Sequence, residues 1–304
     1  MTEESRTAPT AAPSAGATDV QPDPGRGDLT RQLTVAISAV IAIIGSFIGS
    51  GAAGGTPVQD ASGGALAADA TLIAPGTGAF SIWTVIYIGL LAYAVWQFLP
   101  AQKRAVRQRR LGYLVAASLL LNAAWILSVQ FDLLGLTVPV ILVLLAVLAR
   151  AFVLTIQSPP SGIADSIITD GTIGLYLGWV CVATAANIAA VLVAAGFDGW
   201  GIAAEVWAAV VIVLAGVVGI LLAVYGGGRI APMLSLVWGL VWVGVARLSD
   251  EPHSTSTAIA AFVTAGAVVL VTVVARVYAQ RSPLSESMRG ESMRAARPAA
   301  HSDR

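Results

Sequence analysis

The feature that most constrains this chain is a succession of apolar runs, each near the roughly 20 residues that an α-helix needs to cross the hydrocarbon of a bilayer. They lie at about 33–53, 80–99, 111–130, 134–156, 172–195, 203–225, 231–248 and 256–279. A spanning segment must satisfy its backbone N–H and C=O groups internally, and a helix does so. The chain is therefore expected to be an all-α integral membrane protein, a polytopic bundle of about eight transmembrane helices. Composition agrees: 57% of the 304 residues are hydrophobic, 11% are charged, and mean hydropathy is +0.80.

Several function classes fall away on composition. Formal net charge is zero and no Lys/Arg cluster is interleaved with aromatics, so nucleic acid is not an expected partner. One cysteine, Cys181, makes neither an intrachain disulfide nor a zinc site. The single lysine, Lys103, lies in a polar segment, which argues against a retinal Schiff base. His253 is in a loop, His301 in a tail, and Glu205 stands alone near the start of the sixth run, as a solvated carboxylate at a helix start would. No catalytic constellation can be assembled from them. The expectation is a protein that is not an enzyme and holds no metal or resident cofactor.

The ends are rich in Pro, Ala, Gly, Ser and charge, and are read as disordered tails at 1–31 and 281–304. Asp132 marks a very short turn between the third and fourth runs, which makes them an antiparallel hairpin. "KRAVRQRR" (103–110) places the second link in the cytoplasm by the positive-inside rule. Alternation then puts Arg26, Arg31, Arg150, Arg229, Arg276 and Arg281 on the same side, so both termini of a multi-pass cell-membrane protein are expected to be cytoplasmic. Arg247 falls outside, where Asp250 and Glu251 would neutralise it. "IGSGAAGG" offers small residues to a signal peptidase, but the long acidic tail before the first run is a poor leader, and a retained helix is favoured. The link at 54–79 is the longest external one, carries no basic residue, and reads as a lid or a disordered segment.

Three runs carry groups that do not suit lipid. In the fifth, Tyr176, Trp179, Ala183, Asn187 and Ala190 share a stripe about 80° wide at helical spacing. In the third, Ser118, Asn122 and Trp125 share another, and in the second Trp83, Tyr87, Ala94 and Gln97 line a further one. A lipid-facing Asn would leave its amide unpaired, so these faces must turn inward. Trp near span ends is otherwise a belt anchor, the reading given to Trp96, Trp200 and Trp207, and intramembrane Asn or Ser is often interhelical glue. Spacing alone leaves glue, belt and pocket all open.

Three of these segments resemble the translocator protein/tryptophan-rich sensory protein (TspO/MBR) family. "LYLGWVCVATAAN" (175–187) resembles its fifth-helix Tyr-Leu-x-Trp-x-x-x-Ala-x-x-x-Asn pattern. "LLLNAAWILSVQFDLLGL" (119–136) resembles its third-helix Leu-Asn-x-x-Trp segment, and "GAFSIWTVIYIGLLAYAVW" (78–96) its second-helix Phe-x-x-Trp-x-x-x-Tyr segment. The resemblance covers about 33–195. It implies a five-helix bundle at 32–196, followed by an additional three-helix membrane segment at 197–280 that it does not explain. It further implies an outward pocket under the 54–79 lid, with Trp125 and Trp179 as walls beside Tyr176, Trp83 and Tyr87 near the mouth, and Asn122 and Asn187 as paired polar positions.

The chain departs from the family in three places. The lid lacks a Trp-Tyr and a Lys-Pro-Pro-like stretch, the fourth run has no carboxylate, and "IAAVLVAAG" after Asn187 lacks the aromatic and basic residues of a sterol-recognition segment. Trp238 and Trp242, one turn apart in the seventh run, are expected to pack against the five-helix part. The expected function is a receptor or sensor for porphyrin-like or other hydrophobic molecules, with transport of such a molecule as the alternative. Light-dependent porphyrin breakdown is the one chemistry that the resemblance adds. Spacing such as Gly45 and Gly49 permits close helix contacts within a chain or in a homo-oligomer.

Overall fold

The computed structural model describes residues 25–281 apart from 53 and 55, and is helical throughout its membrane-length segments. Among the described residues eight helical segments are long and apolar enough to cross a membrane, the second of them counted from Thr77. They are α1 (Arg26–Gly49), α2 (Ile82–Trp96), α3 (Val106–Gln130), α4 (Leu134–Gln157), α5 (Thr172–Ala194), α6 (Ala204–Tyr225), α7 (Ile230–Ser249) and α8 (Thr255–Arg281). Leu, Ile, Val and Phe side chains of α1, α6 and α8 stand exposed along whole faces, as at Ile37, Ile44 and Phe47 in α1 and Val263 and Leu270 in α8. Such faces suit hydrocarbon and would be unstable in water.

Two boundaries differ from those expected. α1 begins at Arg26, inside the stretch read as tail, because Asp28 and Arg31 are buried in ion pairs; the rest of both expected tails lies outside the described residues. The fifth span extends back to Ile163 through a π-helical turn at Ser166–Gly171.

The first five helices close a ring. α1 packs on α2 and α3, α3 on α4, α4 on α5, and α5 returns to α2. The α3–α4 hairpin turns on Asp132, which adopts a positive φ of 57°, while the Leu133 N–H closes the turn on the Ser128 carbonyl at 2.8 Å. α7 lies along the outer side of α5, and α6 and α8 pack on α7 and on each other. Small residues set the α5–α7 distance. A methyl group added at Gly178 would collide with the Pro232 carbonyl and the Ser235 hydroxyl, and one at Gly239 would lie 2.9 Å from Val182. Without water to drive association, such close backbone approach is a main source of helix pairing in lipid.

The 54–79 link crosses the end of the bundle where α1 finishes and α2 begins, hereafter the loop end; the opposite end, where α1 starts and α8 stops, is the terminal end. The lid is tied at both margins. Ser62 Oγ donates to the Val129 carbonyl at 3.1 Å and Gln130 Nε2 to the Thr56 carbonyl at 2.8 Å on the α3 side. Arg247 donates to the Thr71 and Ala68 carbonyls at 3.0 and 2.8 Å on the α7 side. Arg247 is hydrogen-bonded to lid carbonyls, with the charges of Asp250 and Asp69 acting on it through space, while Glu251 engages His253. Trp238 and Trp242 do pack inward: Trp238 Nε1 donates to the Ala79 carbonyl at 2.9 Å, and the Trp242 ring covers Gly76 and Gly78.

Candidate functional site

The inward stripes of α2, α3 and α5 meet inside the ring, at the half nearer the loop end. The Trp83 ring lies 5.4 Å from Tyr87, 5.6 Å from Tyr176 and 6.3 Å from Trp179, the last two edge-to-face. Edge-to-face packing places the positive rim of one ring on the negative face of the next. Phe80, in the turn that leads from the lid into α2, makes the same kind of contact with Trp179 at 5.8 Å.

Hydrogen bonds order the polar members. Asn122 Nδ2 donates to the Tyr87 hydroxyl at 2.7 Å, tying α3 to α2. Trp125 Nε1 donates to Asn187 Oδ1 at 2.9 Å, and Asn187 Nδ2 donates to Thr137 Oγ1 at 2.9 Å, a chain that runs from α3 through α5 to α4. The Tyr176 hydroxyl reaches the Ser118 carbonyl at 3.3 Å. Trp179 is the exception: its ring is 2% exposed, and its buried indole N–H has no acceptor. A buried donor without a partner costs about 1–3 kcal/mol relative to a paired one.

Of the seven residues singled out from the sequence, Trp83, Tyr87, Asn122, Tyr176 and Trp179 are joined by ring contacts and one hydrogen bond, while Trp125 and Asn187 form a second hydrogen-bonded group with Thr137, one turn further along α3 from Asn122. Tyr176, Trp179, Asn122 and Asn187 are buried, and Trp83, Tyr87 and Trp125 half-buried. Thr137 and Phe80 complete these groups and are not among the seven. Phe80 is the first residue of the second-helix pattern, a signal that could have found it; Thr137, on a helix with no other polar inward residue near it, gives none.

The rings of the cluster touch one another, and a roomy space lies elsewhere. A cavity of about 850 Å³ opens on the opposite stripe of α5, where Cys181, Thr184 and Ile188 face Trp207 and Val211 of α6 beneath lid residues Thr71 and Ile73. It sits at the junction of the ring and the added helices, a place to which nothing in the three sequence patterns points.

The terminal end is built of charge. Asp28 accepts from Arg31 at 3.0 Å and from Arg109 at 2.8 and 2.6 Å, joining α1 to α3. Arg107 pairs with Asp170 and lies 3.8 Å from Asp165, while Arg229 approaches the other Asp170 oxygen at 3.1 Å and donates to the Thr155 carbonyl at 3.0 Å. Burial lowers the pKa of the Arg229 guanidinium below its ordinary value. The π turn makes this possible. On an ideal α-helix, residues five apart point to different sides, whereas i→i+5 bonding stacks them, so both carboxylates reach one guanidinium. Positive-inside counting reads these arginines as topological marks; the carboxylates that hold them buried escape it because each looks like an ordinary loop acid.

Buried polar atoms without a hydrogen-bond partner gather beside these ions: Tyr93 Oη, both Gln97 side-chain polar atoms, Gln108 Oε1 and Arg31 Nε. Among the described residues no group of three or more His, Cys, Asp or Glu could hold a metal ion.

No curated protein matches the chain, and no solved structure does. A family model described as TSPO-like protein matches residues 36–275, from within α1 to within α8, and so runs through the three C-terminal helices that the sequence patterns left out. With that match over most of its length, and with the ring of five helices bearing the three tryptophan-containing patterns on its inner face, the chain belongs to the TSPO-like protein family.

Proposed function

We propose that this protein is a membrane receptor or sensor that takes a flat hydrophobic ligand of porphyrin type into the ring, against Trp83, Trp125 and Trp179. The observation that carries this reading is the set of aromatic and amide groups that three helices turn into the ring, where the buried Trp179 N–H is left without an acceptor. A tetrapyrrole offers wide π-faces to the rings and peripheral carboxylates that accept hydrogen bonds from an indole. Phe80 links the lid to Trp179, so lifting the lid uncovers the cluster at the loop end. The arginine distribution supports an orientation with that end outside the cell and both termini in the cytoplasm, in a cell membrane. No step of this reading is catalytic, and the tetrapyrrole is a ligand rather than a resident cofactor.

Titration of the purified full-length chain with protoporphyrin IX, followed by tryptophan fluorescence, tests the reading. The expected result is saturable quenching that is weakened about tenfold or more in Trp125→Ala and in Trp179→Ala, as for truncation of a buried aromatic anchor. Quenching that never saturates, or that both variants leave unchanged, counts against it.

One observation favours transport as the second reading. Directly across the membrane from the cluster, the Arg107–Asp165–Asp170–Arg229 ions close the terminal end, as a gate opposite a binding site would. Porphyrin flux into proteoliposomes, absent from empty vesicles, would support it over the receptor.

A further inference from the structure

The cavity on the outer stripe of α5 differs from the aromatic cluster in its lining. Its deeper wall is mainly aliphatic, supplied by Ile188 and Leu192 of α5 and Val211, Leu214 and Val218 of α6, while Phe197 and Trp207 stand edge-to-face in the lining nearer the rim. α4 and α6 both flank α5 without packing extensively on one another. Leu192 and Leu214, on either side of the gap, are 44% and 58% exposed. The cavity therefore opens sideways, into the surrounding lipid, rather than only to water.

Its depth is about that of one leaflet's hydrocarbon together with its headgroup layer. From Glu205 at the rim to Val218 at the floor, α6 rises about 20 Å at 1.5 Å per residue, against a half-bilayer of roughly 15 Å of hydrocarbon. At about 850 Å³ it lies within the usual range of small-molecule sites. Its aliphatic deeper wall offers an alkyl chain contact along the whole length of the slot.

The rim supplies a sign. The ionisable residues that line the cavity are Asp198, Glu205 and His253; no Lys or Arg is among them. Asp198 caps the turn before α6 by accepting from the Trp200 N–H at 2.9 Å and keeps a second oxygen. Glu205 makes no hydrogen bond or ion pair with any described residue, and His253 stands 3.7 Å from Glu251. A carboxylate head would meet like charge here, and an ammonium head would meet opposite charge at the low-dielectric edge of an apolar slot. A further polar group lies under the roof: the lid residue Thr71 lines the cavity, and its buried hydroxyl has no partner.

The geometry points to a second ligand site on this chain, between α5 and α6, that binds a single-chain amphiphile with a cationic amine head from the leaflet at the loop end. The alkyl chain lies along Ile188, Val211 and Leu214 toward Cys181, and the ammonium group sits between Asp198 and Glu205. This site does not depend on the porphyrin reading, since it uses the other face of α5 and none of the seven inward residues.

The test uses the full-length chain in phosphatidylcholine nanodiscs at low ionic strength, with a diazirine-bearing sphingosine and a diazirine-bearing palmitate as probes of opposite head charge. After irradiation, labelled peptides are mapped by mass spectrometry. The expected result is saturable labelling of 181–193 and 204–218 by the amine probe, with the carboxylate probe labelling these segments at least about fivefold more weakly. Glu205→Gln, a same-size change at an exposed position, should raise the half-saturating amine concentration about two- to fivefold, the range of an exposed ion pair. Val211→Trp, which fills the slot, should abolish the labelling. Equal labelling by the two probes, labelling unchanged by both variants, or displacement of the amine probe by protoporphyrin IX would each overturn the assignment. Failure of protoporphyrin to bind would overturn the receptor reading and leave this one standing.

Discussion

The two ends of this bundle are held together by different physics. At the terminal end, charged side chains are buried or half-buried and paired: Asp28 with Arg31 within α1, and across elements Asp28 with Arg109, Arg107 with Asp165 and Asp170, and Arg229 with Asp170. At the loop end, the contacts are aromatic edges, indole N–H bonds and arginine donation to lid carbonyls, with an open cavity between α5 and α6. Breaking a buried ion pair leaves an uncompensated charge, whereas loosening a ring contact or a single hydrogen bond costs little. The difference makes the terminal end a rigid base and the loop end the place where a ligand can be admitted without dismantling the bundle.

If the two ends differ in this way, the largest loss of stability comes from a change at the base. Arg107→Ala leaves buried Asp165 without its cationic partner and Asp170 with Arg229 alone, and the expected loss is about 3–5 kcal/mol. A drop in thermal midpoint in detergent much larger than for any loop-end variant would bear this out. Replacing Gly178 with Leu comes next. It forces α5 away from the Pro232 backbone, at about 1–3 kcal/mol for overpacking, and loosens the three added helices from the ring. Limited proteolysis should then cut the 196–203 link sooner than in the wild type.

Loop-end changes should be milder. Asn187→Leu removes both the acceptor for Trp125 and the donor to Thr137, and about 1–2 kcal/mol is expected from interhelical bonds in lipid. Trp238→Phe loses one bond to the Ala79 carbonyl and should cost about 0.5–1.5 kcal/mol. Combined with Arg107→Ala, its effect should add to within about 0.5 kcal/mol, since the two sites share no partner. Coupling well beyond that would mean that the ends communicate, and would favour the transport reading. At the small extreme, Trp200 is 76% exposed, and Trp200→Ala should change stability by no more than about 0.5 kcal/mol.

Much of the frame was legible in the sequence because hydrocarbon imposes one pattern on every span. The eight helices, the α3–α4 hairpin at Asp132 and the inward faces of α2, α3 and α5 follow from run length and helical period. The seven inward residues came from that period together with the family patterns. What escaped depends on pairing across distance. Asp165 and Asp170 carry no sign of burial in the sequence, and their shared contact with Arg107 needs a π turn that no local composition marks. Arg247 looks like a misplaced topological charge because backbone carbonyls of a lid leave no trace in composition. The cavity arises where α6 diverges from α5, a property of how two apolar helices cross rather than of either one's residues.

Whether the inner face of the ring, and not the outer cavity, receives the flat hydrophobic ligand is decided by a single comparison. Protoporphyrin IX is titrated by its Soret band into the full-length wild type and into the Trp125→Ala/Trp179→Ala double variant, with Val211→Trp as the cavity control. The expected outcome is saturable binding in the wild type, binding at least about tenfold weaker in the double variant, as for loss of buried aromatic anchors, and unchanged binding in Val211→Trp. Wild-type binding that fails to saturate, or that Val211→Trp weakens while the double variant does not, would contradict a ligand site inside the ring.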